Sequence, residues 1–337
     1  MSWLLFFFSA GVIVIAGTAL SRYGDEIAEH TGLGGLWIGV LLMAGATSLP
    51  ELFTSMSAAW LEAPDLAAGD LFGAVMTNML TLGLIDLAYR HRQVWRQATL
   101  EHALAAALAM VLTGLAALFV LLRLNWSLWG VGLDTLALAG IYLLGMRVVY
   151  RQEDVKRQER QRDRVVEAME AEAVGRGSRR ALRRASFGFI VAAGALLIAA
   201  PLLAGSAKTI ASETGISTTF LGSTLVAVVT SLPELVSSLA AVRLGAYDLA
   251  VGNLYGSNAF NMAALFAADV AYRQGPLLSA VDQAHIVTAL WGILLMNLGL
   301  MGIIYRAEKR YVLIEPDSML MLVGVALGFW LLYRFSG

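Results

Sequence analysis

Thr47-Ser48-Leu49-Pro50-Glu51-Leu52 recurs as Thr230-Ser231-Leu232-Pro233-Glu234-Leu235, an offset of 183 residues. The same offset, without a gap, aligns Ile27 with Ile210, Gly39 with Gly222, Gly69 with Gly252 and Gly73 with Gly256. It continues through Asn78 and Asn261, Asp86 and Asp269, Tyr89-Arg90 and Tyr272-Arg273, His102 and His285, and Asp134 and Asp317. Chance does not hold a register from Ile27 to Asp134. The chain reads as two copies of one unit, residues 1–150 and 185–337, joined by a linker at 151–184.

The setting of these units follows from composition. Of 337 residues, 58% are hydrophobic and only 15% are Asp, Glu, Lys or Arg, against about 25% charged in a typical soluble domain. Half of the 24 Lys and Arg residues fall within 147–184, and 99–122 contains none. Apolar runs of about 20 residues cross a bilayer. The chain therefore reads as a polytopic membrane protein with the lipid bilayer as its partner, and a soluble enzyme is excluded. The absence of cysteine excludes disulfides and thiolate metal sites. The basic residues are bunched in one loop instead of forming a face, so nucleic acid is not read as a partner. No obligate protein partner and no prosthetic group is evident. The apolar N-terminal run lacks a basic residue before it, so it reads as a retained helix instead of a cleaved signal.

Charged punctuation divides the chain into ten expected spans, near 3–21, 34–60, 67–89, 98–122, 134–150, 186–206, 217–243, 248–271, 284–305 and 317–334. Pro50 and Pro233 fall inside the second and seventh, where each span should break. Each unit has an odd number of spans, so the second copy enters from the opposite side. The fold class is then an all-α membrane protein of ten transmembrane helices in two inverted-topology repeats of five, as in many secondary transporters. Placing both termini outside leaves Arg123, Lys208, Arg273 and Arg334 there, with the other 20 basic residues inside. The positive-inside rule favours that arrangement, with the linker in the cytoplasm and the chain in the cell (inner) membrane.

Glu51 and Glu234 are the deepest acids, and an ionisable group within a span is a functional candidate. Thr47 and Ser55 lie four residues to either side of Glu51, as Thr230 and Ser238 do around Glu234. Carboxylate, hydroxyl and carbonyl oxygens at a broken helix form a hard donor set suited to Ca²⁺ or Na⁺ and poor for copper or zinc. The following span of the second unit, from Gly252 to Asn261, presents Asn253, Ser257 and Asn261 at four-residue spacing. The first unit keeps Gly69, Gly73 and Asn78 but has Asp70, Ala74 and Val75 where the second has Asn253, Ser257 and Asn258. Asp70 is read either as compensating for Ala74 or as an exposed acid near the outer helix end.

The paired T-S-L-P-E motifs, followed by G-N-x-x-G-S-N-x-x-N in the second unit, resemble the two alpha repeats of the sodium/calcium exchanger family, within the cation/calcium antiporters. The resemblance covers nearly the whole chain. It implies an antiporter working by alternating access, without catalysis, in which Glu51 and Glu234 bind Ca²⁺ and share in binding Na⁺. It also implies oxygens from Thr47, Ser48, Thr230 and Ser231, main-chain carbonyls of Ala44 and Ala227, and side chains of Ser257, Asn78 and Asn261. The first and sixth spans would slide over the core. Ala74 and Val75 depart from the pattern, as do Ala46 and Val229 at positions that are commonly glycine. Exchange of Ca²⁺ for Na⁺ is the leading expectation. A proton-coupled divalent antiporter and a cation-binding protein without transport are the alternatives.

Four further acids have structural readings. Asp86 and Asp269 precede Arg90 and Arg273 by four residues, which predicts ion pairs near the helix ends. Asp134 and Asp317 are expected to be helix N-caps. His102 and His285 lie at span ends. Trp3, Trp37, Trp60, Trp95 and Trp126 are read as interfacial belt residues.

Overall fold

The computed structural model describes residues 1–30, 45–89, 102–164, 178–305 and 316–335. Ala44, Trp37, Gly39, Arg90, Trp95 and most of the linker lie outside these residues.

The described chain is almost entirely helical. The first unit contributes α1 (Ser2–His30), α2 (Leu49–Trp60), α3 (Pro64–Ala88), α4 (His102–Leu122) and α5 (Leu133–Arg164). The second contributes α6 (Ser178–Thr214), α7 (Thr218–Thr230), α8 (Leu232–Arg243), α9 (Tyr247–Ala271), the short α10 (Leu277–Ala280), α11 (Ala284–Tyr305) and α12 (Pro316–Phe335). Six of these helices are long and apolar enough to cross a membrane, and the bent pair α7–α8 brings the number to seven. The helix α9 has the length to cross, but its buried Asn253, Ser257, Asn258, Asn261 and Asp269 make it polar. The helix α5 runs past the expected end at 150 into the charged linker.

The proline motifs start new helices. Pro50 and Pro233 occupy the first turns of α2 and α8, where a missing N–H costs nothing. The residue before each helix has nearly the same backbone, Ser48 at φ −86°, ψ 6° and Ser231 at φ −85°, ψ 3°. At Ser231 the chain bends by 40°. On the far side of that bend, Ser217 caps α7 by accepting from Phe220 N at 3.1 Å, and Gly222–Val226 forms a π-helical turn. π-turns of this kind are frequent at functional sites.

Layering follows burial. In α3 the most apolar stretch is 78% buried, against 33% in α6 and 28% in α12. The helix α3 is thus the inner wall, while α6 and α12 turn residues such as Phe187, Ile190 and Trp330 outward, as lipid contact requires. The outer helices α1 and α6 run antiparallel. Ser2 Oγ donates to Glu213 Oε1 at 2.9 Å at one end of the pair, and the Tyr23 ring covers Gly188 at the other.

Close approach at the centre depends on glycine. A Cβ added to Gly69 would stand 3.0 Å from Gly222 Cα, and one added to Gly222 would stand 2.9 Å from Leu66 O. Helices that present small residues to each other bring their backbones together. Here α3 meets the π-turn of α7, and that approach sets the depth of Asp70.

The acids outside the motifs differ from expectation. Asp269 accepts from Gly132 N at 2.7 Å, Leu277 N at 2.7 Å and the Thr135 hydroxyl. It therefore ties the hairpin Ser127–Leu128/Val131–Gly132 to α9 instead of pairing with Arg273. The guanidinium of Arg273 lies 3.8 Å over the Trp60 ring, a favourable cation–π distance. Asp134 lies inside the first turn of α5, with its Oδ1 on the adjacent Thr135 N, so it is not an N-cap. Asp86 accepts from the Ser318 hydroxyl. Arg90 and the side chain of Asp317 lie outside the description. His102 Nε2 stands 3.1 Å from Asp248 Oδ1, and His285 Nε2 stands 3.6 Å from Asp65 Oδ1. Trp3, Trp60 and Trp126 are exposed.

Candidate functional site

Glu51 and Glu234 sit in the first turns of α2 and α8, just past the two breaks, and neither has measurable exposure. Each receives a hydrogen bond from the other unit. Ser231 Oγ donates to Glu51 Oε1 at 2.8 Å, and Ser48 Oγ donates to Glu234 Oε1 at 3.1 Å. Under the offset of 183 these are one contact made twice.

The threonines obey the same exchange. Thr230 Oγ1 donates to Asp70 Oδ1 at 2.8 Å, and Thr47 Oγ1 donates to Asn253 Oδ1 at 3.3 Å. The His102–Asp248 and His285–Asp65 contacts form a third reciprocal pair, and Thr135–Asp269 with Ser318–Asp86 a fourth. Such swapping places each motif against the partner unit's second polar helix, α3 or α9.

Reciprocity fails where the sequences differ. Thr47 Oγ1 also lies 3.4 Å from Ser257 Oγ, whereas Ala74 gives Thr230 no equivalent. The Thr230 hydroxyl also lies within hydrogen-bond distance of Val226 O and Ala227 O on its own helix. Asn78 Nδ2 donates to Asn258 Oδ1 at 2.9 Å, while the reciprocal partner for Asn261 would be Val75. Both polar atoms of the Asn261 amide are accordingly buried without a partner.

Of the residues singled out from sequence, Glu51, Glu234, Thr230, Asp70, Asn78, Asn261 and Ser257 are buried on α2, α3, α7, α8 and α9, and Thr47, Ser48 and Ser231 are buried at the breaks that precede α2 and α8. Asp70 is fully buried and hydrogen-bonded, which settles its depth against an exposed position. The Ala227 carbonyl accepts from the Thr230 hydroxyl and from Ser231 N. Ala44 lies outside the described residues. Ser55 is buried, with its hydroxyl on Leu52 O. Asn258 and Asn253, named from sequence but outside the expected ligand set, join the network: Asn258 receives Asn78, and the Asn253 amide joins Thr47 to Ser237 and Ser238. The signal was available: offset by 183, Asn253 falls on Asp70, which was already a candidate.

The arrangement leaves oxygens over. Among the described residues, Glu51 Oε2, Glu234 Oε2, Asp70 Oδ2, Asn78 Oδ1 and Thr54 Oγ1 are buried with no hydrogen-bond partner. Buried polar atoms are normally paired, and exceptions call for a reason. Among the described residues no three side chains of His, Cys, Asp or Glu converge tightly enough to hold a metal by themselves. A cation gripped here would share carboxylate, hydroxyl, amide and carbonyl oxygens, as hard cations do.

Comparison with known proteins agrees with this architecture. The sodium/calcium exchanger protein family matches residues 1–148 and 185–336. Inner membrane protein YrbG of Escherichia coli is 33% identical over 264 residues, 77% of this chain and 74% of that protein. Sodium/calcium exchanger MaX1 of Methanosarcina acetivorans is 41% identical over 76 residues, 23% of this chain and 22% of its own. A solved structure of the sodium-calcium exchanger NCX_Mj, soaked with Na⁺ and Ca²⁺, superposes with a TM-score of 0.61 at 21% identity, covering 98% of this chain and 97% of the other. That likeness is one of fold. The chain is a multi-pass membrane protein of a cation/calcium antiporter kind, and it belongs to the sodium/calcium exchanger family, a family of membrane transporters.

Proposed function

We propose that this chain exchanges Ca²⁺ for Na⁺ by alternating access, with Glu51 and Glu234 gripping the divalent ion. The observation that carries the reading is the swapped pair Ser231–Glu51 and Ser48–Glu234, each carboxylate keeping one oxygen without a donor. Thr47, Thr230, Ser48, Ser231, Asn78, Asn261, Ser257, Asp70 and the carbonyls of Ala44 and Ala227 supply the remaining oxygens. Ca²⁺ and Na⁺ are cargo, and no prosthetic group takes part.

Ten spans in two inverted-topology units, 1–150 and 185–337, are part of the same reading, with 151–184 as a cytoplasmic linker and both termini outside the cell (inner) membrane. Support comes from the antiparallel pair α1 and α6, which correspond under the offset, and from the reciprocal contacts at both ends of the molecule. A first unit entering from one side and a second from the other would bring such pairs together.

One observation favours a second reading. Ala74 and Val75 leave the first unit without a hydroxyl and an amide, which weakens one place for Na⁺ and favours H⁺ as the coupling ion. The test is ⁴⁵Ca²⁺ flux into proteoliposomes under a Na⁺ gradient at fixed pH, and separately under a pH gradient without Na⁺. Uptake driven by Na⁺ alone supports exchange for Na⁺, and uptake driven only by the pH gradient supports the second reading. Full uptake by both Glu51→Gln and Glu234→Gln would sink both.

A further inference from the structure

Asp70 and Asn253 occupy equivalent positions and make the same first contact, each accepting from a motif threonine through one side-chain oxygen. Their other atoms differ. Asn253 Nδ2 donates to Ser237 Oγ at 3.3 Å and Ser238 Oγ at 3.1 Å, so its amide is satisfied. The offset places Thr54 and Ser55 where Ser237 and Ser238 stand. On the first-unit side the amide nitrogen is replaced by Asp70 Oδ2, an acceptor with no partner, and Thr54 Oγ1 is also buried without one. Two fully buried oxygens thus lie where the second unit has a donor and an acceptor. Glu51, whose Oε2 is free as well, is near enough to act on Asp70 electrostatically.

From this we infer a monovalent-cation subsite, built from Asp70 Oδ2, Thr54 Oγ1 and Glu51 Oε2, that exists in the first unit alone. It rests on the cation-exchange reading above and adds a specific place and charge to it. A small hard cation would stand where the Asn253 –NH₂ stands in the other unit, supplying positive charge to the oxygens that a nitrogen supplies with hydrogens there. The charge count agrees. With all three ionised, Glu51, Glu234 and Asp70 would carry −3, so one divalent ion would leave −1, and one monovalent ion at Asp70 would complete neutrality. Two carboxylates alone would be neutralised by the divalent ion and would leave no such requirement. Uncompensated charge at this depth is costly, and the missing hydroxyl at Ala74 makes the added carboxylate a local substitute for a lost cation ligand.

The experiment compares purified full-length wild type, Asp70→Asn and Thr54→Val in detergent, with N-methylglucamine holding ionic strength. Asp70→Asn copies the residue at 253, which the fold already accommodates, and thermal melting verifies folding. The first measurement is ²²Na⁺ retained in the absence of Ca²⁺. Wild type is expected to hold one more Na⁺ per chain than Asp70→Asn. The second is Na⁺ displacement of bound ⁴⁵Ca²⁺. For Asp70→Asn the midpoint should rise about tenfold or more and the Hill slope should fall. Thr54→Val should move both in the same direction by less. Equal ²²Na⁺ retention and unchanged displacement in Asp70→Asn overturn the subsite, even with Ca²⁺ binding intact. Loss of ⁴⁵Ca²⁺ binding in wild type would overturn the parent reading instead, and the ²²Na⁺ comparison would still decide the subsite.

Discussion

Gly17 lies against Pro233. A Cβ built on it would overlap the ring Cγ and would also stand 3.0 Å from Pro50 Cγ, so one glycine of α1 touches both motif prolines. A helix that must pass over this point has no room for a side chain. Gly17→Leu is therefore expected to cut ⁴⁵Ca²⁺ flux at least about tenfold while equilibrium Ca²⁺ affinity changes by less than about threefold. A flux equal to wild type would show that α1 does not move across the prolines.

The swapped serines give a second expectation. Ser231 and Ser48 each donate to a carboxylate that has no exposure. Hydrogen bonds to charged groups contribute about 1.5–3 kcal/mol. Ser231→Ala and Ser48→Ala should each weaken Ca²⁺ binding, measured by equilibrium ⁴⁵Ca²⁺ binding, by roughly ten- to a hundredfold. Unchanged affinity in both would mean that the serines orient nothing.

These contacts mark the boundary of what the sequence makes legible. Apolar runs and the repeat announce helices, a break at each proline and two central glutamates, because those features are local or recur at a fixed offset. The exchange of partners is not local. That Ser48 serves Glu234 and not Glu51 depends on how the two units face each other. Burial of Asp70 depends on α7 crossing α3 at Gly69 and Gly222, a packing event that no single helix encodes. For Asp269, helical spacing pointed to Arg273, but the hairpin at 127–132 brings Gly132 N and the start of α10 brings Leu277 N, two backbone donors that outcompete the side chain. The asymmetry at Ala74 and Val75 was visible as letters, while its consequence, an Asn261 without a partner, needed the fold.

Asp269 supports a prediction of its own. Its oxygens satisfy two buried backbone N–H groups from different loops, and a buried donor left unmade costs about 1–3 kcal/mol. Asp269→Ala should lower stability in detergent by at least about 2 kcal/mol, read as a fall in Tm, with Ca²⁺ affinity of the folded fraction unchanged. Arg273→Gln, which loses only a cation–π contact on Trp60, should cost less than about 1 kcal/mol. The opposite ranking would restore the ion pair as the main role of Asp269.

Val75→Asn tests whether the eroded half of the site can be rebuilt. By the offset, an amide at 75 would face Asn261 as Asn258 faces Asn78, and it would give the unpartnered Asn261 amide a hydrogen-bond partner. Valine and asparagine are similar in size, and a Cβ added to Gly292 would stand 2.9 Å from Val75 Cγ1, so the glycine is what admits a side chain of this size. Hydrogen bonds between membrane helices average about 0.6 kcal/mol and reach about 1.7 kcal/mol. The variant should therefore gain stability within that range, measured as a rise in Tm or in resistance to denaturant, whereas an asparagine placed without a partner would lose it. Combining the change with Asn261→Leu separates the two explanations. If the gain comes from the new pair, Asn261→Leu abolishes it; if it persists, the amide at 75 has found another partner and the reciprocal geometry does not extend to that position.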